Sequence, residues 1–341
     1  MNQHLLNCCL PARASYGGLM MGRDYNEVAL FRENTTLTAA LLFLSTAIPC
    51  FAADRNPAVR TGDYKGKLNI GSRERYYTVH VPRKLPEKPA VVIVLHGALS
   101  GAWTVGFNSD MSRYADKQRF IAVYPSGTGY GKRQLLFWNA GGCCGPAYEN
   151  DVDDVAFIRE LIALMKSNYG ADSSRVYIAG ASNGGMMAYR TATELSDQIA
   201  AIAAVDSCMF PQAKAPSEPV SVIAINGTGD TVIPYKGGVG RWFIYDVKDV
   251  PAAKDTIAYW VAQNHCCAVP ERDESNGVLR EHFKNGTGGS AVTLVTIKGG
   301  QHVWPGGRCS SWSGDLTAGK VKATEEILKF FWQHPKTAPG P

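Results

Sequence analysis

The sequence predicts an α/β fold in which a mostly parallel central sheet carries helices on both faces. Short apolar segments alternate along the chain with longer amphipathic segments. This alternation is typical of parallel strands that are joined by helical crossovers. A second observation is the pentapeptide GASNG at residues 180–184, which follows a β-branched run and precedes a helix-favouring one. A serine on such a strand–turn–helix lies at the sheet edge where parallel strands end.

Hydrophobic periodicity predicts the individual elements. Residues 90–95 (AVVIVL) are continuously apolar, as expected of a strand buried on both faces. In residues 154–169 the apolar side chains fall on one side of a helix. We predict, in chain order, an antiparallel hairpin over 67–70 and 76–81, strands over 90–95 and 120–124, a helix over 154–169, a strand over 175–179 followed by a helix, strands over 199–205 and 220–225, a helix over 252–263, a strand over 292–297 and a helix over 320–332.

The first 53 residues are predicted to be a secretory leader, which leaves 54–341 as a single domain. Residues 37–48 are weakly polar to apolar and too short to span a bilayer comfortably, and small residues follow them. This pattern predicts a signal peptide that is cleaved after Ala52 or Ala53. The region before it is long, which an overextended start would explain. The competing interpretation is a buried helix of the mature fold. Export predicts an extracellular or periplasmic protein with no membrane segment after cleavage.

The cysteine content agrees with export. Six cysteines remain after the leader: Cys143, Cys144, Cys208, Cys266, Cys267 and Cys309. An even number in an exported domain predicts disulfides, although the sequence does not choose among the pairings. Because adjacent cysteines form a strained ring, we expect Cys143 and Cys144 to bond to different partners. A zinc site is the competing interpretation, and it is disfavoured because no C-x-x-C pair recurs with a matching pair of ligands.

Composition and charge exclude several classes of protein. Hydrophobic residues make up 45% of the chain and charged residues 19%, which excludes a disordered or fibrous protein. The net charge of +5 is not clustered, so the sequence predicts no nucleic-acid partner. The acidic residues 149–154 have the composition of a calcium loop. Carboxylates at the start of a helix more often cap free N–H groups, and we therefore expect no metal there.

Ser182, Asp230 and His302 form a candidate catalytic triad. The hydroxyl of a serine needs a base to take its proton, and the base needs an acid to orient it. In this architecture the order along the chain is serine, acid and histidine. Asp230 follows the predicted strand 220–225, and His302 follows the predicted strand 292–297. The alternatives are a turn aspartate for Asp230 and a structural loop histidine for His302.

Two backbone N–H groups are predicted to bind the oxyanion of a tetrahedral intermediate. The first belongs to Asn183, which follows the nucleophile, and the second lies in the loop after the strand 90–95. In that loop we assign the N–H of Ala98, with Leu99 as the next choice. His96 is better explained as a residue that fixes the loop than as a base.

Two tryptophans are candidate substrate-binding residues. Trp304 lies two residues from the proposed base, and Trp138 lies in a glycine-rich segment. Each ring is a candidate wall of the acyl or alcohol pocket, and packing of the loops is an equal alternative.

Motifs along the whole predicted domain are shared with one family of proteins. These motifs are residues 95–97 (LHG), 124–125 (YP) with 127–128 (GT), 137–141 (FWNAG) with 143–145 (CCG), 152–155 (VDDV), 180–186 (GASNGGM), 226–228 (NGT) with Asp230, and 299–307 (GGQHVWPGG). On them the chain resembles the polyhydroxybutyrate depolymerase-like esterases, secreted α/β-hydrolases that are grouped with feruloyl and acetylxylan esterases. The resemblance implies the α/β-hydrolase fold, the nucleophile Ser182, the acid Asp230 and the base His302.

The sequence departs from the family pattern at two places. Asn226 stands where family members often have histidine, and no cysteine lies near Phe283 to pair with Cys266. The first change leaves Asp230 intact, and the second implies that Cys266 and Cys267 pair otherwise or stay free.

Taken together, the sequence predicts a secreted serine esterase of the polyhydroxybutyrate depolymerase type, acting on short hydroxyalkanoate oligomers or polyester through an acyl-enzyme. The alternative is a feruloyl or acetylxylan esterase on plant polysaccharide. More distant alternatives are an acyltransferase and a non-catalytic binding protein. The expected partner is a small ester or oligoester, and no metal or organic cofactor is required.

Overall fold

A ten-stranded sheet lies at the centre of the structure. The computed structural model describes residues 61–242, 245–308, 317 and 319–337. The predicted leader with its cleavage site and Cys309 lie outside the described residues.

Fourteen strands lie in the described part of the chain. They are β1 (Gly62–Ile70), β2 (Arg73–Val81), β3 (Val91–Leu95), β4 (Ile121–Pro125), β5 (Thr128–Gly129), β6 (Leu136–Phe137), β7 (Val176–Ala181), β8 (Ala201–Val205), β9 (Ser221–Gly227), β10 (Gly238–Trp242), β11 (Tyr245–Val250), β12 (Glu271–Ser275), β13 (Val278–Phe283) and β14 (Val292–Ile297).

Seven α-helices are described in the same ranges. They are α1 (Ala102–Ser109), α2 (Met111–Gln118), α3 (Gly145–Glu149), α4 (Asp154–Tyr169), α5 (Asn183–Glu194), α6 (Ala253–Gln263) and α7 (Ala323–Gln333). None of these helices combines the length and apolar character that crossing a membrane requires.

The inner strands of the central sheet pair in parallel, and the outer strands on either side pair antiparallel. Its strand order is β1-β2-β4-β3-β7-β8-β9-β14-β13-β12. The strands from β4 to β14 in this order pair in parallel, and the outer pairs are antiparallel. The carboxyl ends of the parallel strands therefore meet at one edge of the sheet.

Apolar side chains pack against both faces of this sheet. Successive residues of β3 separate into two buried clusters, with Ile93 in one and Val94 in the other. The first cluster includes apolar side chains of α4, α5 and α6, and the second includes those of α1, α2 and α7. The predicted α/β class, with helices on both faces of a mostly parallel sheet, is confirmed.

The acidic segment before α4 starts this helix. The side chain of Asp153 accepts a hydrogen bond from the backbone N–H of Ala156 at 2.8 Å, which caps the helix. Gly170 ends the helix in a left-handed conformation, with φ of 62°. This use of the carboxylates agrees with the capping interpretation of the sequence.

The next carboxylate, Asp154, makes a buried ion pair instead. Its Oδ1 atom lies 2.5 Å from Nη2 of Arg75 on β2, and its Oδ2 atom accepts the N–H of Asn139 at 2.8 Å. The guanidinium also packs over the ring of Phe157, 4.3 Å from the ring centroid. The pair joins the outer sheet, α4 and the segment before α3 inside the core, where one charge without the other is costly.

The prediction for the adjacent cysteines Cys143 and Cys144 is wrong. The structure joins Cys143 to Cys144, contrary to the expectation that adjacent cysteines bond to different partners. The peptide bond between them is cis, and their Cα atoms lie 3.1 Å apart, closer than a trans peptide bond allows. Three other cysteines are free thiols: Cys208, Cys266 and Cys267.

We expect Asp154→Ala to lower the free energy of unfolding by about 3–5 kcal/mol, because it leaves the Arg75 charge buried without a partner. Urea unfolding followed by circular dichroism measures the change. Glu271→Ala is the matched control, since it removes the exposed partner of Lys284, and its midpoint should equal that of the wild type. An unchanged midpoint for Asp154→Ala would show that the pair does not stabilise the core.

Candidate active site

Four neighbouring strands bring their carboxyl ends together at one place. Ser182 directly follows β7, Asp206 directly follows β8, Asp230 follows β9 and His302 follows β14. These strands are adjacent and parallel in the order β7-β8-β9-β14. The sheet therefore brings together the predicted triad residues, which lie far apart along the chain.

The backbone of Ser182 has a strained conformation. Its φ of 54° and ψ of −125° are sparsely populated for a residue with a side chain. The N–H of Ser182 donates to the carbonyl of Val205 at 2.9 Å, and its own carbonyl accepts from the N–H of Met186 at 3.0 Å and from the hydroxyl of Ser207 at 2.9 Å. These bonds hold the turn between β7 and α5, in the geometry of a nucleophile elbow.

The two glycines that flank the serine are required by close packing. A Cβ atom at Gly180 would overlap the backbone of Gly184, and one at Gly184 would overlap the carbonyls of Leu95 and His96. Strand, helix and the loop after β3 approach one another within backbone contact here. The glycines of the pentapeptide are thus explained by sterics.

His302 and Asp230 are hydrogen bonded. Nδ1 of His302 lies 2.7 Å from Oδ2 of Asp230, and Oδ1 of Asp230 accepts the N–H groups of Val232 and Ile233 at 2.7 and 2.9 Å. A carboxylate only accepts hydrogen bonds, so the imidazole proton belongs on Nδ1 and the lone pair on Nε2. This is the tautomer that a general base requires.

The pKa of His302 is raised above its ordinary value of 6.5. Burial acts to lower it, but the charge of Asp230, the hydrogen bond to Asp230 and the charge of Asp206 together outweigh burial. Within the described part of the chain, the Ser182 hydroxyl and the His302 ring are not hydrogen bonded to each other. Such contacts often form only when substrate is bound.

The predicted oxyanion loop lies beside the nucleophile. A Cβ atom placed on Gly97 would be 3.5 Å from the Cβ of Ser182, so the backbone leading to Ala98 passes next to the serine. The N–H of Asn183 is the first of α5, where the helix supplies no acceptor for it. The predicted donor Asn183 thus follows Ser182 directly, and the predicted donor Ala98 follows the glycine that packs against the Ser182 side chain.

His96 fixes the oxyanion loop. Nε2 of its buried ring accepts the N–H of Gly127 at 2.9 Å, and Nδ1 donates to the carbonyl of Gly97 at 2.8 Å. Burial lowers the pKa of His96 to about 4, so the ring is neutral and can accept this hydrogen bond. The ring has the positioning role that the sequence indicated for it.

Trp138 and Trp304 are buried and serve packing, which corrects their assignment as walls of a substrate pocket. Their exposed fractions are 0% and 2%. The indole N–H of Trp138 donates to the carbonyl of His96 at 2.9 Å, and its backbone forms a pair of hydrogen bonds with the Asn183 side chain at 2.7 and 3.0 Å. The indole N–H of Trp304 donates to the hydroxyl of Thr324 at 3.0 Å. A ring without exposed surface holds the loops and offers no face to a substrate.

Other aromatic side chains near the oxyanion loop are exposed. Trp103, at the start of α1, is 59% exposed, and Tyr130, between β5 and β6, is 73% exposed. The N–H of Leu136 on β6 donates to the carbonyl of Ser100 at 3.1 Å, which joins this hairpin to the oxyanion loop. Sequence analysis missed these residues, although Trp103 follows the oxyanion loop closely in the chain.

Asp206 is a buried carboxyl group that the sequence analysis also missed. Its Oδ1 atom accepts the N–H of Gly227 and its Oδ2 atom that of Val303, each at 3.0 Å. Burial, followed by the charge of Asp230, raises the pKa of Asp206 to about 8. The signal was available, since Asp206 directly follows a predicted strand, as the triad residues do.

Ligand atoms of Asp206, Asp230 and His302 lie within 4.8 Å of one another, a spacing that would also suit a metal ion. However, the carboxylate oxygens already accept N–H groups of the backbone or of the imidazole ring. The arrangement therefore suits the handling of protons.

The chain is similar to known esterases. A family model described as Phospholipase/Carboxylesterase matches residues 148–240. Feruloyl esterase B of Piromyces equi is 34% identical over 173 residues, which are 48% of this chain and 31% of the relative. The putative esterase NocK of Nocardia uniformis subsp. tsuyamanensis is 27% identical over 277 residues, 74% of this chain and 77% of the relative. The chain thus spans about a third of the length of feruloyl esterase B.

A solved structure shares the fold. The acetyl xylan esterase from Aspergillus awamori aligns with a TM-score of 0.55 at 14% identity, over 79% of this chain and 99% of that chain. The predicted fold and the predicted resemblance to esterases are confirmed: the chain has the α/β-hydrolase fold and is similar to feruloyl and acetylxylan esterases.

Proposed function

We propose that this protein is a serine esterase that hydrolyses carboxylic esters of plant polysaccharides, of the feruloyl or acetylxylan type. The observation that carries the proposal is the 2.7 Å hydrogen bond between His302 and Asp230, at the sheet edge where Ser182 lies on its strained turn. An oriented base and a partly exposed serine at the same end of the parallel strands support nucleophilic catalysis.

The reaction follows from the roles of these groups. Oγ of Ser182 attacks the ester carbonyl carbon while Nε2 of His302 takes its proton. The N–H groups of Ala98 and Asn183 stabilise the oxyanion, and His302 then gives the proton to the leaving alcohol. Water attacks the acyl-enzyme with His302 as base again, which releases the acid and restores Ser182. Asp230 holds the imidazole and stabilises its charged form.

The comparisons favour a polysaccharide ester over a hydroxyalkanoate. Relatives named feruloyl esterase and acetylxylan esterase support the plant-ester alternative. The exposed rings of Trp103 and Tyr130 support it further, because an aromatic face next to the oxyanion loop can stack on a phenolic or sugar ring. Secretion and the signal peptide remain part of the proposal, since a polysaccharide substrate lies outside the cell.

We expect Ser182→Ala to lower kcat on p-nitrophenyl butyrate by at least about 10⁴-fold, because the nucleophile is lost while the oxyanion donors remain. Ser167→Ala on the exposed side of α4 is the matched control and should retain full activity. Initial rates at saturating substrate measure both. Activity of Ser182→Ala equal to that of the wild type would exclude the serine mechanism.

We expect kcat/KM to decline as the pH is lowered, with the midpoint of the acid limb above pH 6.5. Only neutral His302 takes the serine proton, and its pKa is raised above the ordinary histidine value of 6.5. Activity is therefore present above the pKa of His302 and lost below it. A pH profile on an uncharged ester measures the limb, and a midpoint below 6.5 would contradict the charge environment described for His302.

We expect methyl ferulate and acetylated xylan to be hydrolysed with higher kcat/KM than hydroxybutyrate oligomers, since the comparisons favour plant esters. One assay panel at a single pH, with released acid quantified by chromatography, makes the comparison. Added xylo-oligosaccharide separates hydrolysis from acyl transfer. A preference for hydroxybutyrate oligomers would return the function to a polyhydroxybutyrate depolymerase.

A further inference from the structure

The buried carboxyl group of Asp206 joins two loops of the site. It follows β8, the strand between those that lead to Ser182 and Asp230. One oxygen binds the N–H of Gly227 at the end of β9, and the other binds the N–H of Val303, the residue after His302. The side chain is 3% exposed, so these N–H groups are its partners in place of water. The loop that carries His302 is thereby fixed to the strand that leads to Asp230.

We propose that Asp206 is a second carboxyl partner of His302: it positions the loop of the imidazole and, when it is ionised, stabilises the imidazolium together with Asp230. The inference rests on the esterase function proposed above and adds a positioning residue to it. The support is geometric, because ligand atoms of the three side chains lie within 4.8 Å of one another, with both carboxyl groups buried and the imidazole partly exposed. A charge on the imidazole at this distance is little screened by solvent.

The protonation of Asp206 depends on its neighbours. The titratable groups that face it are Asp230 from the loop after β9 and His302 from the loop after β14. Cys208 on its own segment stays neutral, because burial raises the pKa of this thiol to about 12. Burial and then the charge of Asp230 raise the pKa of Asp206 to about 8, so this carboxyl group holds its proton at neutral pH.

Removal of Asp230 should make the stabilisation of the imidazolium depend on Asp206. Without the Asp230 charge, the pKa of Asp206 falls, which favours its ionised form beside the imidazole. It then supplies the negative charge that the imidazolium needs. A residue that serves only to hold the backbone would have no such dependence on Asp230.

A double-mutant cycle tests this dependence, using the full chain with Asp206→Asn, Asp230→Ser and both changes. Asparagine keeps one acceptor oxygen for the loops, and serine keeps a small acceptor for the turn after Asp230. We expect Asp206→Asn to lower kcat about tenfold in the wild type, with KM unchanged, and about a hundredfold in Asp230→Ser. Equal losses in the two backgrounds would overturn the proposal. Asp197→Asn, an exposed carboxylate in the turn before β8, is the control and should leave kcat unchanged.

The pH profile of the wild type gives a second readout. Ionisation of Asp206 adds a carboxylate beside the imidazole, so we expect kcat to rise again near pH 8. Asp206→Asn should instead reach a plateau above the pKa of His302. Absence of the second rise in the wild type would overturn the proposal even if Asp206→Asn failed to fold. Full activity of Ser182→Ala would reject the esterase function itself, whereas an additive cycle would reject only the role of Asp206.

Discussion

Parallel pairing of β7, β8, β9 and β14 is the constraint on which the rest of the site depends. Backbone hydrogen bonds set Val205 opposite Ala181 and Ile225, so the residues after these strands emerge at one edge. No side-chain contact is needed to bring the serine, the acid and the base close in space. The side chains then refine the positions that the ladder has already set.

The loops at that edge are tied together through buried polar groups. His96 binds the loop after β4, and Trp138 binds both His96 and Asn183. Asp206 does the same on the other side of Ser182, between β9 and the His302 loop. Each of these groups satisfies backbone N–H or C=O groups that irregular segments leave open. The loops of the site are therefore held together by shared hydrogen-bond partners.

Much of the fold could be predicted because the decisive strands are buried on both faces and read as apolar runs. The helix α4 has the predicted bounds. The order of serine, acid and histidine along the chain, each after a predicted strand, located the candidate triad. The hairpin β12–β13 escaped prediction because β12 (ERDES) is exposed throughout and has no apolar alternation. Burial of Trp138 and exposure of Trp103 could not be predicted either, since both depend on which loops pack over which rings.

Any side chain at Gly180 or Gly184 would overlap neighbouring backbone atoms. Two parts of the site therefore differ in how freely their sequence can change. The turn around the serine has no spare volume, so it cannot vary without moving β3 and α5. The ring of Tyr130, in contrast, is 73% exposed, and its hairpin is joined to the oxyanion loop by an isolated β-bridge between Ser100 and Leu136. Substitutions that change the preferred ester should therefore accumulate in that hairpin. The conformation of the turn that holds Ser182 should stay the same.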